Sequence, residues 1–340
     1  MAGADFGSVP GNEELKRTLS LAIREGTLGH AYIIEGACGI GKHALAGDLA
    51  AAVLCTGSGS LPCSECPSCK RIAAGSHPDV RTVGRDGKAS VGVDTVRRLR
   101  SDAHIIPSES ERKVYIIEDA DTMTVEAQNA FLLSLEEPPA YVLYLLLCRD
   151  SKALLETIRS RAASLRMRPC TRKVMEEYLV SVGGAKTSVM RTREPERWDE
   201  LLVSAGGNPG RARALLEGNA LTDRIEEKQH ALALISAMLS GSDNVIVDIA
   251  TMKKTKRDTA LSTLSDIQTA LRDMLLSKKT HAFDTCFFTS TEAADAAGRG
   301  FSARKLAAAI DAARECSAAI ERNGAVVTSL LSMTIKIKNS

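Results

Sequence analysis

The segment that most limits what this chain can fold into is an apolar run that breaks into glycines and resumes as a helix. Ala31-Tyr32-Ile33-Ile34 has the length and apolarity of a strand buried on both faces. Gly36-Ala37-Cys38-Gly39-Ile40-Gly41-Lys42-His43 follows, and the pattern over 42–54 is helical. Strand, glycine turn and helix together make the geometry that cradles phosphate, because backbone N–H groups and the helix N-terminus supply fixed partial positive charge. Gly36, Gly39 and Gly41 let the backbone approach an anion, and Lys42 would reach the terminal phosphates. A full motif of this kind ends in Lys-Ser or Lys-Thr, whose hydroxyl binds Mg²⁺. Here His43 takes that place, and a neutral imidazole is a poor match for a hard, oxygen-preferring ion. Three readings stay open: a glycine turn without ligand, a weak site for ATP and Mg²⁺, and a working hydrolase.

A phosphate loop of this type needs a parallel sheet around it, and residues 1–165 supply one. Strand-like runs at 80–83, 114–117 and 142–147 alternate with helical patterns at 13–25, 94–103 and 124–135. Thr124 is a good N-cap, Glu126 suits the helix dipole, and Pro138-Pro139 stops that helix. The run Val114-Tyr115-Ile116-Ile117 ends in Glu118-Asp119. Nucleotide sites usually carry Asp-Glu here, the Asp for Mg²⁺ and the Glu for the attacking water. Exchanging the two shifts carboxylate reach by about one methylene, and about 1 Å of misplacement can cost about 100-fold in rate. A solvated acidic strand end is the plainer alternative.

Four cysteines sit close together as Cys55-x7-Cys63-x2-Cys66-x2-Cys69, with Pro62 and Pro67 favouring tight turns. Four thiolates suit a closed tetrahedral Zn²⁺ site that would order an otherwise coreless loop. Free thiols or a redox pair are the alternatives. The other five cysteines, Cys38, Cys148, Cys170, Cys286 and Cys316, are scattered and read as buried thiols.

Beyond about residue 165 the strand signal fades. A small helical lid is expected over 166–217, punctuated by Gly206-Gly207-Asn208-Pro209-Gly210, and a helical collar for oligomerisation over 218–340. Ala231, Leu232, Leu234, Ile235, Met238 and Leu239 form one apolar face, and Leu306, Ile310 and Ala313 another. Residues 241–300 yield little beyond helix. A chain of 340 residues suits two or three domains, and 44% hydrophobic with 25% charged residues supports folded cores. The net charge of +2 excludes reading nucleic-acid binding from overall charge. No apolar run reaches the ~18–20 residues of a membrane span. Met1-Ala2-Gly3-Ala4-Asp5 lacks the features of a signal peptide, so a cytoplasmic protein without membrane contact is expected, its nine cysteines reduced or metal-bound.

Several segments carry a family likeness: His30-Ala31-Tyr32 before the phosphate loop, the cysteine cluster after its helix, and Glu118-Asp119-Ala120-Asp121. Asn129-Ala130-Phe131-Leu132-Leu133, Leu135-Glu136-Glu137-Pro138-Pro139 and Thr157-Ile158-Arg159-Ser160-Arg161 complete the set. Over about residues 8–216 the chain resembles the clamp-loader ATPase family of the AAA+ class. The resemblance implies an α/β AAA+ type phosphate-loop domain with an inserted zinc module, a helical lid and an all-α collar. It implies neighbouring subunits in a five-membered ring, a sliding clamp and primed DNA as partners. The family's Ser-Arg-Cys motif donates an arginine to the ATP held by a neighbour. Arg161 matches that arginine, with Ala162 replacing the cysteine. Arg211 resembles the arginine that reads phosphates within the same subunit, and Cys148 or Arg149 falls where ATPase members carry a Thr or Asn sensor. Groups needed for hydrolysis in the chain's own site are altered, whereas Arg161 is kept. A non-motor ring member is expected. The rivals are an active ATPase, which needs Lys42, and a zinc-dependent nucleic-acid module using Lys70, Arg71, Arg81, Arg85 and Lys88.

Overall fold

The computed structural model describes residues 4, 6–57, 59–242, 256–280 and 283–339. Most of the leader reading on Met1–Asp5 and part of the stretch 241–300 lie outside these. Two compact units divide the chain: Met1–Met175 with Asn208–Gly210, and Glu176–Gly207 with Arg211–Ser340.

The first unit is built on five parallel strands, β1 (Ala31–Glu35), β2 (Val80–Val83), β3 (Lys113–Ile117), β4 (Val142–Cys148) and β5 (Ala163–Arg166). They lie in the order β2-β3-β4-β1-β5. Five longer helices accompany them: α1 (Glu13–Glu25), α2 (Lys42–Val53), α3 (Pro67–Ala73), α4 (Val93–Ala103) and α5 (Val125–Glu136). A one-turn α6 (Glu156–Arg159) precedes β5. The parallel sheet, with its glycine loop after β1, is the architecture expected of an AAA+ type phosphate-loop domain. Alternation along the central strands feeds two cores. Tyr144 and Leu146 of β4 join Ile33, Tyr115 and Phe131 on one face, whereas Leu143 and Leu145 join Ile34, Leu45 and Leu49 on the other. Tyr144 stacks on Tyr115 at 5.6 Å and makes a T-shaped pair with Phe131 at 5.2 Å.

Local signals fix the helix ends. Thr124 is extended and its hydroxyl accepts the N–H of Ala127 at 3.2 Å, so α5 starts where the capping pattern places it. Thr124→Ala is expected to lower stability by about 1 kcal/mol, measured as a shift in the urea midpoint at unchanged slope. Asp79, fully buried ahead of β2, anchors the loop before β3 by accepting three backbone N–H bonds, from Ser108 at 2.6 Å, Glu109 at 3.0 Å and Ser110 at 2.9 Å. Burial alone would raise its carboxyl, but the three donors outweigh it and hold the pKa below the ordinary value. A carboxylate depressed in the fold stabilises fully above its unfolded value of about 3.9, and that stabilisation is lost as pH falls through the lower folded value. Asp79→Asn should therefore cost about 1–3 kcal/mol at neutral pH. In urea titrations taken down through the acid range, the gap between variant and wild type should narrow.

The second unit is helical. It holds most of α7 (Arg172–Arg193, broken at Gly184), then α8 (Pro195–Ala205), most of α9 (Pro209–Leu215) and α10 (Ala220–Ser240). After these come α11 (Arg257–Ser277), α12 (Thr291–Gly298), α13 (Ala303–Glu321) and α14 (Val326–Lys338). The expected apolar faces are buried: Ala231, Ile235, Met238 and Leu239 of α10 meet Leu264, Ile267 and Leu271 of α11 and Leu306, Ile310 and Ala313 of α13. Arg224 grips Asp266 with both guanidinium nitrogens at 2.6 and 2.5 Å, tying α10 to α11. Buried Asp273 accepts the N–H groups of Cys286 and Phe287, each at 2.8 Å, and so orders the loop before α12. No described helix is long and apolar enough to cross a membrane.

Candidate functional site

A cavity of about 350 Å³ opens at the carboxyl ends of β1, β3 and β4, where open parallel sheets bind ligands. The glycine loop forms one wall. Gly39 (φ 79°) and Gly41 (φ 105°) occupy the left-handed region, and a Cβ on Gly36 would sit 3.0 Å from the Ile40 side chain. Helix α2 starts at Lys42, so the first N–H groups of a twelve-residue helix stand at the cavity. Lys42 Nζ donates to the carbonyls of Gly36 at 2.6 Å and Ala37 at 3.0 Å. Burial lowers its pKa, against the nearby Cys38, Cys148 and Asp121.

The acidic wall is already engaged. His43 Nε2 lies 3.1 Å from Glu118 Oε1, and Arg85 Nε donates to Asp119 Oδ2 at 2.8 Å. Both positions expected to serve a metal or a water thus face cations: Arg85 always, His43 when protonated. Cys148 and Arg149, the two candidates for the sensor position, both line the cavity. Cys148 is buried, and that burial pushes its thiol up to about 12, so it is an inert thiol rather than a nucleophile. These residues do not fit a Mg²⁺ ion. The loop offers a ring nitrogen where a hydroxyl belongs, Glu118 has the His43 ring beside it, and Asp119 has the Arg85 guanidinium beside it.

Two contacts missed from the sequence hold the loop tip. Asn208 Nδ2 donates to the Cys38 carbonyl at 2.7 Å, and the Gly210 N–H donates to the Gly39 carbonyl at 2.9 Å. The approach is so close that a Cβ on Gly210 would lie 2.8 Å from Gly39 Cα. The Gly-Asn-Pro-Gly run was the available signal. Arg85 was legible only as a basic residue, because its partner depends on β2 lying beside β3.

The four cysteines converge. All four sulfurs lie within 4.8 Å of one another, and the Cys55 and Cys66 sulfurs are 4.0 Å apart. Cys55 Sγ accepts from Cys63 N at 3.4 Å, Cys63 Sγ from Cys66 N at 3.3 Å, and Cys66 Sγ from Cys69 N at 3.4 Å. Cys66 also caps α3, whose first residue is Pro67. Gly57 is required here, since a Cβ would come within 2.6 Å of Cys63 Sγ. This is the donor set of a metal site.

Arg161 is on the surface just after α6. Its guanidinium contacts Glu136 Oε1 at 3.1 Å and the Thr157 carbonyl at 3.1 Å. Arg211 belongs to the second unit, where it lines a polar cavity of about 370 Å³ with Arg224, Lys228 and Asp266. Two basic residues of the nucleic-acid reading are paired, Arg85 with Asp119 and Arg71 with Glu109. A further arrangement imitates a hydrolase. Ser68 Oγ is 2.9 Å from His77 Nε2, and buried Asp79 follows. But His77 Nδ1 accepts the Asp79 backbone N–H at 3.1 Å, so Nε2 carries the proton and donates to Ser68. Ser68 therefore has no base, and a serine triad is excluded.

The sequence has relatives over this same unit. The family model "DNA polymerase III, delta subunit" matches residues 11–171. The DNA polymerase III subunit delta' of Bacillus subtilis is 37% identical over 172 residues, covering 50% of this chain and 52% of that protein. The delta' subunit of Pseudomonas aeruginosa is 32% identical over 221 residues, 63% of each chain. The gamma/tau subunit of Mycobacterium tuberculosis is 32% identical over 180 residues, 53% of this chain and 31% of that one. Among solved structures, a gamma subunit-related protein of Thermotoga maritima aligns with 94% of this chain and 98% of its own, at 16% identity and a TM-score of 0.42. The chain thus spans about half to two thirds of the length of its delta' relatives. With the glycine loop, the strand-end acids and the Ser160-Arg161 step all inside the matched region, residues 11–171 of the chain resemble the clamp-loader subunits of DNA polymerase III.

Proposed function

We propose that the chain is a delta-prime type, non-motor subunit of the DNA polymerase III clamp loader. It takes one place in a hetero-pentamer with gamma/tau-type ATPase subunits and a delta-type subunit. The ring loads a sliding clamp onto primed DNA, and this chain supplies architecture and Arg161 to a neighbour's ATP. The observation that carries the reading is the asymmetry of the arginine and the pocket. The chain's own site has His43 in place of a hydroxyl and its acids against His43 and Arg85, while Arg161 is kept, on the surface beside the exposed Glu136. The first 165 residues serve as the nucleotide-binding-like domain, 166–217 as lid with Arg211 as a phosphate-reading arginine, and 218–340 as collar. The metal is zinc. Zn–S bonds of about 2.3 Å in a tetrahedron place sulfurs about 3.8 Å apart, close to the 4.0 Å between Cys55 and Cys66.

Steady-state Mg²⁺-ATP hydrolysis by the purified chain, with and without primed DNA and beside Lys42→Ala, tests this. Turnover no higher than that of Lys42→Ala is expected. Clear Lys42-dependent turnover would make the chain a motor and overturn the assignment.

A further inference from the structure

We propose that the phosphate loop takes a di- or triphosphate ester free of metal, and that Mg²⁺ weakens this binding. The inference rests on reading the loop as a phosphate site, and it starts from the disagreement between the pocket and the ion. In a metal-dependent site, carboxylates and a hydroxyl meet the ion, and the ion meets the phosphates. Here Glu118 has the His43 ring 3.1 Å away, and Asp119 accepts from Arg85 at 2.8 Å. A Mg²⁺ ion demands near-octahedral oxygens at about 2.0–2.1 Å. To find them it would have to displace His43 from Glu118 and Arg85 from Asp119. It would then sit beside the displaced Arg85 guanidinium and His43 ring.

The same features favour a bare polyphosphate. Its full negative charge meets Lys42, Arg149 and the N–H groups at the start of α2. Of the acids that would repel it, Glu118 has the His43 ring beside it and Asp119 the Arg85 guanidinium. Arg149 adds a further cation to the cavity lining. Lys42 exchanges two backbone carbonyls, Gly36 and Ala37, for phosphate oxygens. The loop needs little ordering, because Asn208 and Gly210 already hold the carbonyls of Cys38 and Gly39. A volume of about 350 Å³ suffices for the phosphates and a sugar.

Isothermal titration of the full chain with ATP, ADP and inorganic pyrophosphate, each in EDTA and in excess Mg²⁺, tests the proposal, with Lys42→Ala as control. Saturable binding in EDTA is expected, lost in Lys42→Ala. Apparent ATP affinity should drop about tenfold or more in excess Mg²⁺, because only the uncomplexed fraction binds. Pyrophosphate matching ADP would identify the phosphates as the whole determinant, and tighter ADP would add the nucleoside; either supports the proposal. The surface pair His43→Ser with Glu118→Asp should invert the Mg²⁺ effect, and a double variant that still prefers EDTA would overturn the assignment to this pair. Tighter wild-type binding in Mg²⁺ refutes the inference alone. No binding of any of the three in EDTA refutes the phosphate-loop reading with it, and leaves the non-motor reading standing.

Discussion

ATP hydrolysis at the one site that this chain faces, in a reconstituted clamp loader carrying Arg161→Ala, is expected to fall by about 10³–10⁵-fold, the contribution of an arginine placed on a transferring γ-phosphate from a neighbouring subunit. The structure makes the experiment clean. Arg161 is exposed, and its contacts are a surface carboxylate, Glu136, and a one-turn carbonyl, Thr157. Losing such a surface ion pair costs within about 0.5 kcal/mol, so the variant should melt and assemble like wild type. Arg161→Lys should not restore turnover, since an ammonium lacks the planar fork that spans two phosphate oxygens. Reconstituted rings with wild-type turnover would remove the trans role of Arg161.

The second large effect is on folding. Cys66→Ser, or a strong chelator, should release the metal and disorder the segment from Cys55 to the end of α3. In isolated zinc-finger peptides about 10–16 kcal/mol of metal-binding free energy serves as folding free energy, and this segment is in the same position. Of its four cysteines only Cys69 is buried, and among the described residues the loop before α3 carries no apolar cluster of its own. Cys66 is the sharpest choice because its sulfur both faces Cys55 and caps α3. One metal per chain by mass spectrometry, falling to none in Cys66→Ser with rapid proteolysis between β1 and β2, is the expected result. A metal-free wild-type chain resisting protease would sink the structural-metal reading.

The central strands and the longer helices of the first unit were legible because the physics there is local. β1, β3 and β4 are continuous apolar runs, α1 has the expected bounds, and Thr124 announces the start of α5. β5 was not legible. Ala163-Ser164-Leu165-Arg166 is an edge strand with only Leu165 buried, so neither a run nor an alternation marks it. Helix α3 was hidden for another reason: its start is set by a cysteine cap and Pro67, inside a segment read as turns between ligands. The glycine loop, the strand-end acids and the grouping of the four cysteines could be named from spacing alone. The partners that alter the chemistry could not. Arg85 reaches Asp119 only because β2 lies beside β3, and Asn208 reaches Cys38 from far along the chain.

That last contact and its neighbour give the molecule an internal reporter. The Gly210 amide is closed onto the Gly39 carbonyl, so its proton exchanges with solvent only when the loop tip lets go. The exchange rate of this one amide therefore reports the fraction of time for which the contact between Gly210 and the glycine loop is open. It does so without a label in the cavity and from a residue remote in sequence.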